Sequence, residues 1–315
     1  MKIYIAGTGS ALPERSVTND ELAKTVDTSD EWIRTRTGIG ARHVAGPGEE
    51  IETLGAAAAE QALEMAGVSA EEIGLIIVGT ATAGYVTPSA ACRIQARIGA
   101  VNAVCFDLNA ACSGFLYSMY TAESLMRMGR CENALIIGGD IVTRYLNWED
   151  RSTCVLFGDA AGAAVLRATE AEDAGDILSF SVGADGMKGQ FLTCRTLPED
   201  HFLGMNGQEV FRFAVRTVPA CIQDALEKAG EKKEDVRYFI LHQANARIIE
   251  AAAKRVGVSV DRFPMNLSET ANTSAGTIPV LLDQMNRAGK LTRGDLLVLS
   301  GFGGGLTWGA SVLRF

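Results

Sequence analysis

Short unbroken apolar runs alternate along the chain with stretches in which apolar residues recur at helical spacing. Ile73-Gly-Leu-Ile-Ile-Val-Gly79, Ala103-Val-Cys-Phe-Asp-Leu108, Tyr238-Phe-Ile-Leu241 and Asp295-Leu-Leu-Val-Leu-Ser300 have the length and composition of strands covered on both faces. Phe115-Leu-Tyr-Ser-Met-Tyr-Thr-Ala122 carries apolar residues on all sides and no charge before Glu123, which predicts a helix inside the core. Helical segments ending on Gly67 and Gly230 each pass through an acidic turn into one of the buried strands. Such alternation of helix and buried strand is the pattern of an α/β protein.

The pattern occurs twice. Ala62-Leu-Glu-Met-Ala-Gly67 and the strand ending at Gly79 match Ala225-Leu-Glu-Lys-Ala-Gly230 and the strand ending at His242. Cys112-Ser-Gly114 falls against Ser274-Ala-Gly276, each followed by an apolar helix that stops at Gly129-Arg or Gly289-Lys. Gly162-Ala-Ala-Val-Leu-Arg167 then matches Gly309-Ala-Ser-Val-Leu-Arg314. Matches in the same order predict two related α/β halves, residues 1–170 and 171–315, joined through the polar stretch 167–175. Packed about a pseudo-twofold axis, the halves bring the helix starting near Ser274 beside the helix starting near Cys112.

Among 315 residues, 29 basic and 38 acidic side chains leave a net charge of -9, which argues against a general nucleic-acid binder. Seven cysteines without a C-x-x-C pair, and three histidines, support neither a disulfide framework nor a zinc site. The expected setting is the reducing cytoplasm, with no membrane span and no signal peptide in the short apolar run at Met1-Lys-Ile-Tyr-Ile-Ala-Gly7.

Cys112 lies where a strand gives way to a buried helix, so helix-start N–H groups and the positive dipole end favour its thiolate. Cys105 and Cys154 read as strand residues, Cys92 and Cys221 as helical ones, and Cys131 falls past a helix end; Cys194 has no assignable element. His242 closes a buried strand, and Asn272 precedes the Ser274 turn, so the duplication sends Cys112, His242 and Asn272 toward one crevice. His43 and His201 read as surface residues. In Gly301-Phe-Gly-Gly-Gly305, the backbone at Gly304 is free to approach a reacting carbonyl and, with the Cys112 N–H, to form an oxyanion hole.

These motifs resemble, from end to end, the β-ketoacyl-acyl carrier protein synthase III family of thiolase-fold condensing enzymes. The resemblance rests on Thr28-Ser-Asp-Glu-Trp-Ile33, Arg36-Thr-Gly-Ile39, Asn109-Ala-Ala-Cys-Ser-Gly-Phe115, Phe157-Gly-Asp-Ala-Ala-Gly-Ala163, His242-Gln-Ala-Asn245, Ala271-Asn-Thr-Ser-Ala275 and Gly303-Gly-Gly-Leu-Thr-Trp-Gly309. It implies a five-layer αβαβα sandwich and a decarboxylative condensation of an acyl-CoA primer with malonyl-acyl carrier protein, initiating fatty acid synthesis. Cys112 is then the nucleophile, with His242 and Asn272 donating to the thioester oxygen. Trp32 is the adenine platform of CoA, and Arg36 and Arg151 meet its phosphates. No cofactor is implied, since acyl-CoA is a substrate; a homodimer is. Ser300-Gly301-Phe302 lacks the second thiol that a degradative thiolase uses as a base, so synthesis is expected over thiolysis.

Arg247, Lys254 and Arg255 fall on one side of the predicted helix 245–256 and suit docking of the acidic carrier protein, with Arg212 a weaker candidate. Many family members have Phe where this chain has Thr87, in a segment that lines the acyl pocket across the dimer interface. The smaller side chain predicts that longer or branched primers are accepted. The alternatives are a condensing-enzyme-like acyltransferase or specialised-metabolite synthase using the same three residues, a papain-like hydrolase with the same Cys, His, Asn order, and a non-catalytic scaffold.

Overall fold

The structure is a computed structural model that describes residues 1–195 and 202–315, so His201 lies outside the described residues. Two main sheets are built from β1 (Lys2–Ala11), β2 (Leu75–Gly79), β3 (Val104–Leu108), β4 (Asn133–Asp140), β5 (Ala160–Thr169), β6 (Asp176–Ala184), β7 (Tyr238–Leu241), β8 (Leu296–Gly303) and β9 (Thr307–Arg314). The longer helices are α1 (Asp30–Thr37), α2 (Ile51–Ala66), α3 (Ala90–Ile98), α4 (Gly114–Arg127), α5 (Gly207–Ala229), α6 (Ala246–Val256) and α7 (Thr277–Arg287).

The first sheet has the order β1-β5-β4-β2-β3, antiparallel through β4 and parallel from β4 to β3. The second runs β6-β9-β8-β7, antiparallel through β8 and parallel from β8 to β7. Strand for strand the second sheet repeats the first without its edge strand β3. The third sequence echo sits in the equivalent strands β5 and β9, where Gly162 pairs with Gly138 and Gly309 with Gly301.

Side-chain alternation along each strand assigns its two faces. Leu75 and Ile77 of β2 meet Phe115, Leu116 and Met119 of α4, whereas Ile76 and Val78 meet α2 and α3. In the second sheet Leu297 and Leu299 meet Ile278, Leu281 and Leu282 of α7, and Val298 packs on the side of α5 and α6. The layers are therefore α2/α3, first sheet, α4/α7, second sheet, α5/α6: a five-layer αβαβα sandwich. Because α4 and α7 are sandwiched between sheets, they need no polar face, which explains the apolar character of residues 115–122.

Two strand expectations need correction. Val104–Leu108 is not covered on both faces: β3 is the open edge of its sheet, Val104 is 65% exposed, and its remaining residues are half-buried. Its apolar composition matches an interior strand, and only the sheet order reveals the free edge. Cys154 lies in a turn, where Asp150 accepts from the backbone N–H groups of Thr153 and Cys154 through its carbonyl; β5 starts later, at Ala160. His43 also departs from the surface reading: it is half-buried, and its Nδ1 lies 2.6 Å from the Pro13 carbonyl oxygen.

Candidate active site

A tight turn carries Cys112. After β3, Asn109 Oδ1 accepts the Ala111 N–H at 3.2 Å, and Ala111 adopts φ 47° before the 3-10 turn Ala111–Ser113 feeds α4. A non-glycine residue with positive φ is uncommon and is held here by its surroundings. Thr307 supplies part of that hold, donating from Oγ1 to Ala110 O at 2.9 Å and lying 3.1 Å from Ser113 Oγ. Gly303 closes the turn from the other sheet: a Cβ there would meet the Cys112 nitrogen at 2.6 Å. This contact explains a glycine beside the nucleophile and puts the Gly303-Gly304 backbone against it.

The equivalent turn in the second half is Ser274–Gly276, entered by Ser274 at φ 52° and followed by α7. Ala275, and not Ser274, therefore occupies the place of Cys112, one residue away from the sequence match. Small residues align by composition in either register, and only the backbone conformation separates the two.

Ser274 touches all parts of the site. Its N–H donates to Asn272 Oδ1 at 2.9 Å, its Oγ lies 3.3 Å from Cys112 Sγ, and its carbonyl accepts from Thr277 Oγ1 at 3.2 Å. Thr277 Oγ1 in turn lies 2.6 Å from His242 Nδ1. With Oδ1 of Asn272 occupied by a backbone donor, Nδ2 is the end of the carboxamide left for the cavity that Asn272 lines. The His242 backbone N–H donates to Ser300 O at 2.8 Å, and the Phe302 ring meets the imidazole edge-on at 5.3 Å. Asp140, fully buried beneath Ser274, accepts from Thr80, Thr82 and the Ala81 N–H, and burial raises its pKa.

Burial also controls the two titratable groups of the site. It pushes the Cys112 thiol up to about 12, against the opposing pull of the Ser274 hydroxyl, while the charge of Asp140 adds to the rise. A helix start contributes about 0.3–1 kcal/mol, less than one pH unit's worth, so the resting sulfur is a thiol and not the thiolate expected from position alone. Burial lowers the His242 pKa to about 3, leaving a neutral imidazole. Below pH 6.5 the unfolded chain binds a proton that folded His242 refuses, so this residue makes stability fall as pH falls, by about 1.4 kcal/mol per pH unit until near pH 3. Denaturant titrations at pH 6.5 and 5 should show the parent losing about 2 kcal/mol more than His242→Gln.

Cys112, His242 and Asn272 line one cavity of about 240 Å³, with Phe157, Phe302, Asn245 and Ser152. Cys112 also lines a second cavity of about 770 Å³, with Val142, Phe157, Leu192, Leu203 and Gly304. The sulfur thus stands between two spaces. Outside the lining of the first, the Trp32 ring has the Arg36 guanidinium 4.5 Å from its centroid and that of Arg151 at 4.9 Å. Asn245 Nδ2, donating to Arg36 O at 3.2 Å, joins this cluster to the strand end that carries His242.

Arg247, Lys254 and Arg255 are exposed on α6, whose Ile248, Ile249 and Ala252 are buried. Arg212, also exposed, is paired with Glu209. Thr87 stands apart: it is exposed in the loop 80–89 and is not among the residues of this chain lining either cavity at Cys112. Ser274, Thr277 and Asp140 escaped the sequence reading as site residues. Ser and Thr at a helix start read as caps, and Asp140 ends a strand more than 130 residues away from the Ala275 N–H it accepts.

Relatives match the chain along its whole length. The family described as 3-oxoacyl-[acyl-carrier-protein (ACP)] synthase III matches residues 106–186, and its C-terminal part matches residues 226–315. The β-ketoacyl-[acyl-carrier-protein] synthase III of Clostridium acetobutylicum is 46% identical, the alignment covering 99% of this chain and 98% of that protein. The crystal structure of 3-oxoacyl-[acyl-carrier-protein] synthase III from Aquifex aeolicus VF5 superposes with a TM-score of 0.96 at 43% identity, covering 99% of this chain and 100% of its own. The corresponding synthase of Pseudomonas aeruginosa PAO1 gives 0.96 at 39% identity, covering 100% and 98%. With identity and topology both running from end to end, the chain belongs to the 3-oxoacyl-[acyl-carrier-protein] synthase III family of thiolase-fold condensing enzymes.

Proposed function

We propose that this chain condenses an acyl-CoA primer with malonyl-acyl carrier protein, and that Cys112 carries the acyl group between the two half-reactions. The observation that carries the reading is the position of Cys112 between two cavities, one shared with His242 and Asn272 and the other of mixed lining, with Val142, Phe157, Leu192 and Leu203 beside polar residues such as Asn109, Gln190 and Thr193. In the first half-reaction, Cys112 Sγ bonds to the acyl carbon, the carbon–sulfur bond to CoA breaks, and the thiol proton passes by way of His242 Nε2 to the departing CoA sulfur. The Cys112 N–H and the Gly304 backbone hold the oxyanion.

In the second half-reaction, loss of CO2 leaves its electron pair on the malonyl unit as an enolate. Asn272 Nδ2 and His242 Nε2 donate to the thioester oxygen as it gains charge. The carbanion attacks the acyl-enzyme, Cys112 leaves as a thiolate, and one proton from solvent restores the thiol. Because CO2 departure creates the carbanion, a neutral His242 suffices and no strong base is required.

Trp32, Arg36 and Arg151 form the CoA platform in this reading, and Arg247, Lys254 and Arg255 the docking face for the acidic carrier protein. Charge reversal at Lys254 and Arg255 is expected to raise KM for malonyl-carrier protein about tenfold or more with little change in kcat, and Arg151→Ala to raise KM for acyl-CoA alone. Steady-state rates in each substrate check both. The residues 1–170 and 171–315 are proposed as the two duplicated halves, supported by the repeated strand order. A homodimer is supported by the open edge of β3 and by Val101 and Val104, 73% and 65% exposed, with Tyr85 and Val86 exposed in the loop that holds Thr87. Thr87 then acts on the acyl cavity of the partner subunit. An odd number of cysteines, seven, with no C-x-x-C pair supports a cytoplasmic setting.

The roughly 770 Å³ cavity favours primers longer than acetyl, since each buried methylene contributes about 0.8 kcal/mol. The decisive experiment supplies acyl-CoA of graded length and malonyl-acyl carrier protein, and measures CO2 and β-ketoacyl product together. Equal amounts of both support the condensation. Acylation of Cys112 without CO2 release supports the acyltransferase alternative, and a sharp cut-off after two or three carbons overturns the broad primer range.

A further inference from the structure

The Thr277 hydroxyl stands between two partners and has one proton to give. On one side the Ser274 carbonyl, 3.2 Å away, can only accept. On the other, His242 Nδ1 lies 2.6 Å away and can donate or accept according to tautomer. All three residues are buried, Thr277 at 2% exposure, His242 at 3% and Ser274 at 5%, so a contact left unmade there is not replaced freely by bulk water.

One proton arrangement satisfies both contacts at once: Thr277 donates to Ser274 O and accepts from Nδ1–H, which leaves Nε2 bare. In the other arrangement the hydroxyl turns to donate to Nδ1, which puts the ring proton on Nε2 and leaves the Ser274 carbonyl its bond from the Thr277 backbone N–H. The reaction proposed above, on which this inference rests, needs both. Acylation presents Nε2 with a thiol to deprotonate, which requires a lone pair. Condensation presents it with a thioester oxygen gaining negative charge, which requires an N–H.

We infer that Thr277 is a positioning residue that lets His242 serve the two half-reactions in opposite tautomers, resting with Nδ1–H and a bare Nε2 and changing to Nε2–H for decarboxylation. The change moves one proton between ring nitrogens by exchange with water and rotates one hydroxyl; no net proton is gained or lost. The neutrality of the buried imidazole supports this, because an imidazolium would carry both protons and need no choice.

Nitrogen-15 NMR of histidine-labelled enzyme tests the idea. The free enzyme should show a protonated Nδ1 and an unprotonated Nε2, and the acetyl-enzyme holding a non-decarboxylating malonyl-thioester analogue should show the reverse. Thr277→Val should hold one tautomer in both states and release CO2 at least tenfold more slowly, and Thr277→Ser should restore both readouts to near the parent. A free enzyme already protonated at Nε2, or the same tautomer in both states of the parent, overturns the inference, as does Thr277→Val with unaltered CO2 release. The parent spectra and the serine variant carry the test if the valine variant fails to fold. Intact-mass measurement on the same samples keeps the outcomes apart: absence of an acyl adduct refutes the role of Cys112, whereas an adduct with an unchanging tautomer refutes only the role of Thr277.

Discussion

Cys112→Ser should take up no acyl mass from acetyl-CoA and should lose at least about 10⁴-fold in condensation rate, while melting within a few degrees of the parent. The reason lies in the burial that already pushes the thiol up to about 12. A hydroxyl in the same place is a far weaker acid, and neither the Ser274 hydroxyl at 3.3 Å nor the Cys112 N–H can compensate for that difference. The substitution nearly preserves volume, so the Ala111–Ser113 turn and its support from Thr307 and Gly303 remain. Intact-mass spectrometry reads the adduct and product formation reads the rate. Condensation within tenfold of the parent would mean that the acyl group is carried elsewhere.

Asn272→Ala and His242→Ala should each reduce CO2 release by about 10²–10³-fold, the loss typical of removing one preorganised donor from a developing oxyanion. They should differ in the first half-reaction. The hydrogen bonds that link Asn272 to Cys112 run through Ser274, so its alanine variant should still gain acyl mass within tenfold of the parent rate. His242 takes part in both steps, so its variant should be slow in acylation as well. Their effects should also combine non-additively, because Ser274 and Thr277 join the two side chains in one hydrogen-bonded chain. Stopped-flow detection of CO2 beside timed mass measurement separates the steps. Unchanged CO2 release in Asn272→Ala would remove that carboxamide from the mechanism.

Much of this architecture was readable because the chain states it twice. Residues 73–79 and 238–241 carry strand composition in equivalent contexts and do form β2 and β7, and the unusual all-round apolarity of residues 115–122 reports a helix held between sheets. The motifs around Cys112, His242 and Asn272 named residues that line one cavity. The one-residue slip between the Cys112 and Ser274 turns arose because composition does not encode a positive φ at Ala111 or Ser274. The edge position of β3 was hidden because its apolar composition is also that of an interior strand.

What the order of residues determines by itself is the alternation of buried strands and helices, its repetition, and the residue types able to do the chemistry, since periodicity and side-chain reactivity are local properties. Only the tertiary structure decided how that chemistry is set. Desolvation keeps the sulfur a thiol and the imidazole neutral, and Ser274 meets Cys112 across 162 positions of sequence. Solvent exclusion and long-range contact depend on where the two halves meet, and neither is a property of any segment alone.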